Sequence, residues 1–293
     1  MTSRPAVPDA LRPSAGDALE AWASRVRAER DQTDRAREVA DPADFYAPTS
    51  HRFRFDPDAG LDAVGLVLEG FARPGETWLD VGAGGGRYAL PIARLTRGVI
   101  AIDPSPSMLA ILREGVDMLG VGNIRAVEAR WPVTGWDAEP RSLDPFRADV
   151  SLMAHVGYDI EEVGPFLDAL EAVTRRRCIA VMGEAAMTTV GRLYWERIHG
   201  EPRVPLPALP DLVTLLLARG RLPEVRLVDR EPPTHEHLEG LHDRARRQLW
   251  LRSGSDRDAR LAELLASDAV ERDGEVSLPE DRTRIGIVTW EPR

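Results

Sequence analysis

A glycine-rich loop and an acidic residue are the part of this 293-residue chain whose types and spacing could do chemistry. The segment Trp78–Ala93 reads WLDVGAGGGRYALPIA, and VIAID follows over Val99–Asp103. Glycines allow a tight turn and let a ligand lie against bare backbone, beside the free N–H groups of a helix N-terminus. Asp103 follows the first glycine by about 20 residues and ends the next apolar run, where an acid can reach the hydroxyls of a bound ribose. We therefore expect a nucleoside-containing cofactor at this loop.

Two classes of cofactor use a glycine loop with such an acid. A dinucleotide fingerprint places its third glycine where this chain has Arg87. A Tyr-x-x-x-Lys pair, which a nicotinamide-dependent reductase would use, is absent because the chain contains no lysine. Both observations disfavour an NAD(P)-dependent oxidoreductase, which we keep as an alternative.

The composition excludes several other classes. All 38 basic residues are arginine, which excludes pyridoxal-phosphate enzymes, Schiff-base aldolases and Walker-type nucleotidases, since each needs a lysine amine. A formal net charge of −10 disfavours a general nucleic-acid-binding protein, because phosphate affinity comes mainly from excess basic residues. The sequence has no HExxH motif, and we expect no metal site.

The expected location of the chain is the cytoplasm of a bacterium. Its single cysteine, Cys178, cannot form an internal disulfide, which fits a reducing compartment. The start of the chain has no apolar signal-peptide core, and no apolar run approaches the ~18 residues of a membrane span. The usage rich in Ala, Arg and Pro is typical of bacterial genomes with a high GC content.

Short apolar runs alternate with helix-length segments from Asp58 onwards. This alternation predicts a doubly wound α/β fold, in which parallel strands are joined by helical crossovers. The predicted strands are Thr77–Val81, Val99–Ile102, Ile124–Val127, Asp149–Met153, Cys178–Met182, Val225–Val228 and Ile285–Trp290. The predicted helices are Asp58–Phe71, Arg87–Arg94, Pro106–Leu119, Glu161–Thr174 and Asp211–Ala218.

The chain divides into an N-terminal helical lid segment, residues 1–57, and a cofactor-binding domain, residues 58–293. The lid segment is predicted to hold a helix over Asp17–Ala40 and an aromatic, basic loop over Asp44–Asp56. A charged segment, Glu236–Ser267, predicts a helical insertion at about residues 230–270. Candidates for closing over a bound ligand are Tyr46, His51 and Arg52.

The run from Asp80 to Gly86, DVGAGGG, resembles the first motif of class I S-adenosylmethionine (SAM)-dependent methyltransferases. Asp103 matches the second motif of that family, and Ala148–Asp159 matches the fourth. The resemblance covers about Asp58 to Glu184. It implies a seven-stranded, mostly parallel sheet whose last strand is antiparallel, and Ile285–Trp290 would supply that strand.

The resemblance also implies roles for single residues. Gly82, Gly84 and Gly86 would pass beneath the cofactor, Asp80 would orient its ammonium group, and Asp103 would hold its ribose. Further cofactor-binding candidates are Ala83, Arg87, Pro104, Met108, Arg130, Trp131 and His155. Pro104 and Met108 would border the adenine. At the third motif the chain departs from the common pattern, because Arg130 and Trp131 stand where many relatives carry an acid; the indole could cover the adenine by stacking.

The resemblance predicts a SAM-dependent methyltransferase that leaves S-adenosylhomocysteine (SAH) as product. Segments additional to a minimal sheet would enclose a pocket, which favours a small-molecule acceptor methylated on oxygen or nitrogen. His155 follows the fourth predicted strand and is a candidate general base or a polar wall; Tyr158 is a further substrate or lid candidate. Three alternatives remain open: an RNA or protein methyltransferase, the NAD(P)-dependent oxidoreductase, and a non-enzymatic SAM-binding protein. The oligomeric state is not predicted.

Overall fold

The computed structural model describes residues 12–40, 42–133, 144–186, 189–230, 234–235, 237–272, 274–278 and 283–293. The α-helices within these ranges are α1 Ala15–Ala36, α2 Ala63–Glu69, α3 Ala89–Ala93, α4 Pro106–Leu119, α5 Val163–Val173, α6 Thr189–His199, α7 Leu209–Ala218, α8 Leu238–Gln248 and α9 Asp256–Asp268. The strands are β1 Thr77–Val81, β2 Gly98–Asp103, β3 Ile124–Glu128, β4 Ala148–Ala154, β5 Thr174–Gly183, β6 Glu224–Arg230, β7 Val270–Arg272, β8 Glu275–Ser277 and β9 Thr283–Trp290.

The central sheet has seven strands in the order β3-β2-β1-β4-β5-β9-β6. Strands β1 to β5 pair in parallel. Strand β9 inserts between β5 and β6 and runs antiparallel to both. The prediction of a doubly wound, mostly parallel sheet with an antiparallel last strand is therefore confirmed.

Both faces of this sheet are covered by helices, which explains why its inner strands are apolar on both sides. On one face, Leu79 and Val81 of β1 pack in a core with residues of α1, α5 and α7. On the other face, Trp78 packs with residues of α2, α3 and α4. The alternation of side chains along β1 therefore places Asp80 on the same face as Trp78.

A third cluster of buried side chains forms a cap beside the sheet. It consists of residues from α6, α8 and α9, the β7–β8 hairpin and the end of α1, with Trp195 and Leu261 fully buried. The backbone N–H of Glu38, just after α1, donates to the Trp250 carbonyl at 2.8 Å. The Glu38 carboxylate accepts the backbone N–H of Arg252 at 2.9 Å. The cap is thus tied to the chain that leaves α1.

Several predicted boundaries are wrong. The helix predicted over Asp58–Phe71 begins only at Ala63, because the Asp62 side chain accepts the Gly65 N–H at 2.6 Å and caps it there. The segment Asp44–Asp56, predicted as a loop, contains a short 3-10 helix over Ala47–Phe53. The proline at the start of this short helix is tolerated, because the first N–H groups of a helix have no acceptor within the helix.

The segment predicted as a helical insertion contains two helices, α8 and α9. Between α8 and α9 the backbone turns at Trp250, which has φ 57°, and α9 restarts where the Ser255 hydroxyl accepts the Asp258 N–H. The sequence interpretation missed α6 and the β7–β8 hairpin. Helix α6 carries apolar side chains at helical spacing. The pattern is short and a proline-rich stretch follows it, so the whole region was not assigned to a helix. None of the described helices is both long enough and apolar enough to cross a lipid bilayer.

Candidate functional site

A cavity of ≈1380 Å³ lies at the carboxyl edge of the sheet. Its floor is the glycine loop together with the residues that follow β2 and β4, and its roof is the segment 42–62 with Trp250. Carboxyl ends of parallel strands converge at this edge, so side chains distant in sequence meet there. The cavity therefore lies where the sequence predicted a cofactor.

The glycine loop has a backbone that only glycine adopts without strain. Gly82, Gly84 and Gly86 have φ of 74°, 55° and 86°. A Cβ at Gly82 would collide with Val156 and one at Gly86 with Leu112, whereas one at Gly84 would meet open space. The first and third glycines are therefore needed for the packing of the chain itself, while Gly84 leaves the wall bare toward the cavity.

Asp103 joins the loop to the end of β2. Its Oδ2 accepts the Gly84 N–H at 2.8 Å, and its Oδ1 accepts the Ser105 N–H at 2.8 Å. Burial raises the pKa of Asp103, and the nearby Asp44 charge adds to this, while the two backbone hydrogen bonds oppose it. A carboxylate has about four acceptor positions, so two N–H donors leave capacity for ribose hydroxyls.

Asp80 is buried beneath the loop, and its Oδ1 has no hydrogen-bond partner among the residues that the structure describes. Burial, with the charge of Asp103, raises the pKa of Asp80 to about 7. A buried acceptor without a donor costs free energy, and a bound cation would remove that cost. The orphaned oxygen fits the predicted contact with the ammonium group of SAM.

Asp44 is a site residue that the sequence interpretation missed. Its carboxylate accepts the Ser105 hydroxyl at 2.9 Å, the Ser107 N–H at 3.2 Å and the Tyr46 N–H at 3.1 Å. These bonds lower the pKa of Asp44 against the raising effect of its burial. They hold the segment 42–62 over the N-terminus of α4, and no local sequence pattern reveals contacts of that range.

The remaining predicted cofactor residues lie on the cavity wall. They are Ala83, Arg87, Pro104, Met108, Arg130, Trp131 and His155. The Arg87 guanidinium forms an ion pair with Asp62 at 2.5 Å. Trp131 is 6% exposed, and its Nε1 donates to the Phe166 carbonyl at 3.3 Å. Much of the indole therefore packs in the core, and adenine stacking on it stays a prediction.

His155 faces the cavity from a backbone in the left-handed region, with φ 57°. The backbone N–H of His155 donates to the Val181 carbonyl at 2.8 Å, and this bond fixes the turn after β4. Burial lowers the pKa of His155 to about 4, helped by the charges of Arg230 and Arg87. The imidazole is therefore neutral near pH 7 and a weak base.

The four lid candidates divide into two groups. Tyr46 and Arg52 line the cavity, whereas His51 and Tyr158 are outside its lining among the described residues. The Tyr158 hydroxyl accepts the Gly183 N–H at 2.7 Å and so links the turn after β4 to the end of β5.

Aromatic side chains that the sequence interpretation did not select surround Tyr46. Its ring lies edge-on to Phe45 and Phe53, with centroids 5.3 and 5.7 Å away, and Phe45 approaches Trp250 at 5.6 Å. We call Phe45, Tyr46, Phe53 and Trp250 the aromatic wall; all four line the cavity. Trp250 comes from the cap, so a sequence pattern could not have joined it to the others.

Comparison with known proteins agrees with this geometry. Residues 79–176 match the family described as Methyltransferase domain, and this range includes the glycine loop, Asp103 and His155. Over this third of its length the chain is similar to a methyltransferase domain. A ubiquinone biosynthesis O-methyltransferase of Paramagnetospirillum magneticum is 35% identical over 102 residues, which span 34% of this chain and 37% of that protein. The match thus covers little more than a third of that relative.

Solved structures share the fold of this chain. A putative methyltransferase from Bacillus halodurans superposes with a TM-score of 0.53 at 16% identity, over 79% of this chain and 98% of that one. The YcgJ protein of Bacillus subtilis gives a TM-score of 0.51 at 14% identity, over 78% and 98%. The predicted resemblance to SAM-dependent methyltransferases is confirmed, and SAM is the cofactor of that family.

Proposed function

We propose that this protein is a SAM-dependent methyltransferase acting on oxygen or nitrogen of a small metabolite. The observation that carries the proposal is the orphaned carboxylate of Asp80 beneath a glycine loop whose Gly84 faces the cavity, with Asp103 at its side. Asp80 would hold the ammonium group, Gly84 would lie against the cofactor, and Asp103 would accept the ribose hydroxyls.

The protein's own contribution to catalysis is to orient the acceptor and exclude water. SAM supplies, when bound, an electrophilic methyl group whose sulfur leaving group needs no acid. Holding a nucleophile in line with such a group is worth roughly 7–11 kcal/mol in favourable cases. The segment 42–62 and Trp250 cover the cavity and support this role. His155, neutral near pH 7, serves as a polar wall in this proposal.

A small acceptor is favoured over RNA or a protein by the arrangement of the charges. The basic run Arg175–Arg177 begins β5 and so lies at the sheet edge opposite the cavity. Two of its members are paired there: Arg175 with Asp149 at 3.4 Å, and Arg176 with Glu76 at 2.5 Å. This basic run therefore provides no track of basic groups that leads to the cavity.

Titration calorimetry with SAH, and separately with NADH and NADPH, tests the cofactor. Micromolar binding of SAH alone is the expected result. Binding of a nicotinamide cofactor instead would overturn the proposal in favour of an oxidoreductase. Transfer of a labelled methyl group to a pool of small metabolites then tests catalysis. SAH binding without transfer to small molecules, RNA or protein would favour a SAM-binding protein that is not an enzyme.

A further inference from the structure

Four arginines near the cavity form no ion pair with an acid in the described part of the chain. Among the residues that the structure describes, no hydrogen bond or ion pair is formed by the side chain of Arg52, Arg230, Arg244 or Arg247. Arginine side chains that line the cavity elsewhere are mostly paired: Arg87 with Asp62, Arg203 with Glu29, and Arg30 with Glu161. We call the four unpaired residues the arginine cluster.

Three different elements bring the arginine cluster together. Arg244 and Arg247 lie on the same face of α8 as Gly240, since positions four and seven apart follow the helical repeat. The Arg52 guanidinium comes from the lid segment and lies 3.9 Å from the Cβ position of Gly240. It therefore faces the side of α8 that carries the other two guanidinium groups.

Arg230 approaches from the sheet. It ends β6, which runs parallel to β1–β5, so it lies at the same carboxyl edge as His155 and the glycine loop. Its charge acts on His155, which lines the cavity, and on Arg244. Arg230 is therefore near both His155 and Arg244, while Arg52 is the member of the four that lines the cavity.

Like charges so close together are unfavourable unless an anion binds between them. Burial lowers the pKa of Arg244, and the charges of Arg230, Arg52 and Arg247 lower it further. Burial also lowers the pKa of His235, which lies beside the cluster, and the charges of Arg244 and Arg52 lower it further. Acids on α8 relieve this charge only in part: Asp243 acts on Arg247 but is itself bonded to Arg246 at 2.5 Å, and Glu239 is exposed in the first turn. Guanidinium groups bind carboxylates and phosphates in bidentate fashion.

We propose that the methyl acceptor is an acid with an apolar body, and that the arginine cluster binds its carboxylate or phosphate group. The aromatic wall then holds the apolar body, since Arg52 and the wall line the same cavity. This inference rests on the proposed function, because it names the acceptor class of that site. The alternative of an RNA backbone is disfavoured by the formal net charge of −10. It is kept as an outcome of the test, because Phe45, Tyr46 and Phe53 are exposed.

The test uses the full chain saturated with SAH and four probes: cinnamate, its neutral analogue cinnamamide, inorganic phosphate and an RNA. Calorimetry should show that cinnamate binds and that cinnamamide binds at least about fivefold more weakly. Phosphate that competes with cinnamate would assign both anions to the cluster. Arg52→Gln and Arg244→Gln should each weaken cinnamate at least about fivefold and leave SAH affinity unchanged. Short RNA oligonucleotides serve as the fourth probe.

Arg54→Gln is the matched control, because it removes the same charge two positions from Arg52 and its partner is Glu114, at 2.9 Å. It should bind cinnamate like the unaltered protein. If cinnamate and cinnamamide bind equally well, or if all variants bind cinnamate equally well, the inference is overturned. The proposed function would stand in either case, provided that SAH still binds. RNA binding stronger than cinnamate binding, and lost in both variants, would also overturn it. Failure to bind SAH is a separate result that refutes the proposed function and the acceptor class with it.

Discussion

The Ser105 hydroxyl donates to the Asp44 carboxylate at 2.9 Å, although 61 positions separate the two residues in the chain. The same hydroxyl oxygen accepts the Met108 N–H at 3.1 Å and caps α4, while the Ser105 N–H donates to Asp103. One serine therefore connects the lid segment, a helix start and the acid predicted to hold the cofactor ribose. The position of the segment 42–62 is therefore coupled to that of the Asp103 side chain.

Replacing Asp44→Ala should weaken SAH binding by about tenfold, because hydrogen bonds to a charged group are worth roughly 1.5–3 kcal/mol and here hold the cavity roof. Limited proteolysis should also cut residues 42–62 faster. Asp58→Ala is the matched control, since Asp58 is exposed and does not line the cavity. Unchanged SAH affinity in Asp44→Ala would show that the segment is held by other contacts.

Asp80→Asn should stabilise the ligand-free protein and impair cofactor binding at the same time. The pKa of Asp80 is raised to about 7, so the folded state binds the proton more tightly than the unfolded chain does. The stability contributed by the protonated carboxyl is full below the unfolded pKa and is lost as pH rises through about 7. Thermal melts should therefore show a gain of about 4 kcal/mol for Asp80→Asn near pH 8, which fades toward pH 4. A loss of stability at both pH values would contradict this account.

Proton release on SAH binding follows from the same raised pKa. Asp80 holds a proton in the ligand-free protein near pH 6, and an ammonium group would displace it. Calorimetric titrations at about pH 6 in buffers of different ionisation enthalpy should reveal release of most of one proton, and titrations near pH 8 much less. The difference should vanish in Asp80→Asn. Equal proton release at both pH values in the unaltered protein would remove Asp80 from the ligand contact.

Gly84→Ala and Gly120→Ala form a matched pair. Both glycines have positive φ, 55° and 63°, and a Cβ at either position would meet open space. Each substitution should cost about 1 kcal/mol of stability from backbone strain alone. Only Gly84 faces the cavity, so SAH affinity should fall severalfold in Gly84→Ala and stay unchanged in Gly120→Ala. Equal affinities in the two variants would mean that the cofactor does not lie against the loop.

Asp103→Ala should weaken SAH binding by roughly 1–3 kcal/mol through the loss of charge-assisted hydrogen bonds. It also removes the acceptor of the Gly84 and Ser105 N–H groups, so a smaller drop in melting temperature should accompany it. Glu128→Ala is the control, because Glu128 is the register partner of Asp103 on β3 and is exposed. Wild-type affinity in Asp103→Ala would place the ribose elsewhere.

Much of the fold followed from the sequence because the signals are local. Each inner strand is an apolar run whose two faces are both covered, and α4 begins at Pro106, as predicted. Asp80 of β1 pairs with Ala101 of β2, so the two strands end at nearly the same level of the sheet. The glycine loop after β1 therefore lies beside Asp103 at the end of β2, as the spacing predicted. The split between α8 and α9 escaped prediction because it depends on the cap that packs around it.

The candidate site could be predicted only in part, and the division has a physical reason. The glycine positions and Asp103 lie within about 20 residues of one another, where turn geometry and strand length set the distance between them. The Asp44–Ser105 bond, the aromatic wall and the arginine cluster join segments from distant parts of the chain, and their contacts exist only once the sheet and cap are packed. The raised pKa of Asp80 is likewise a property of its burial rather than of its neighbours in sequence. Sequence determined which residues could form a cofactor loop, and tertiary structure decided which charges were left without partners around it, because burial and long-range proximity arise only on folding.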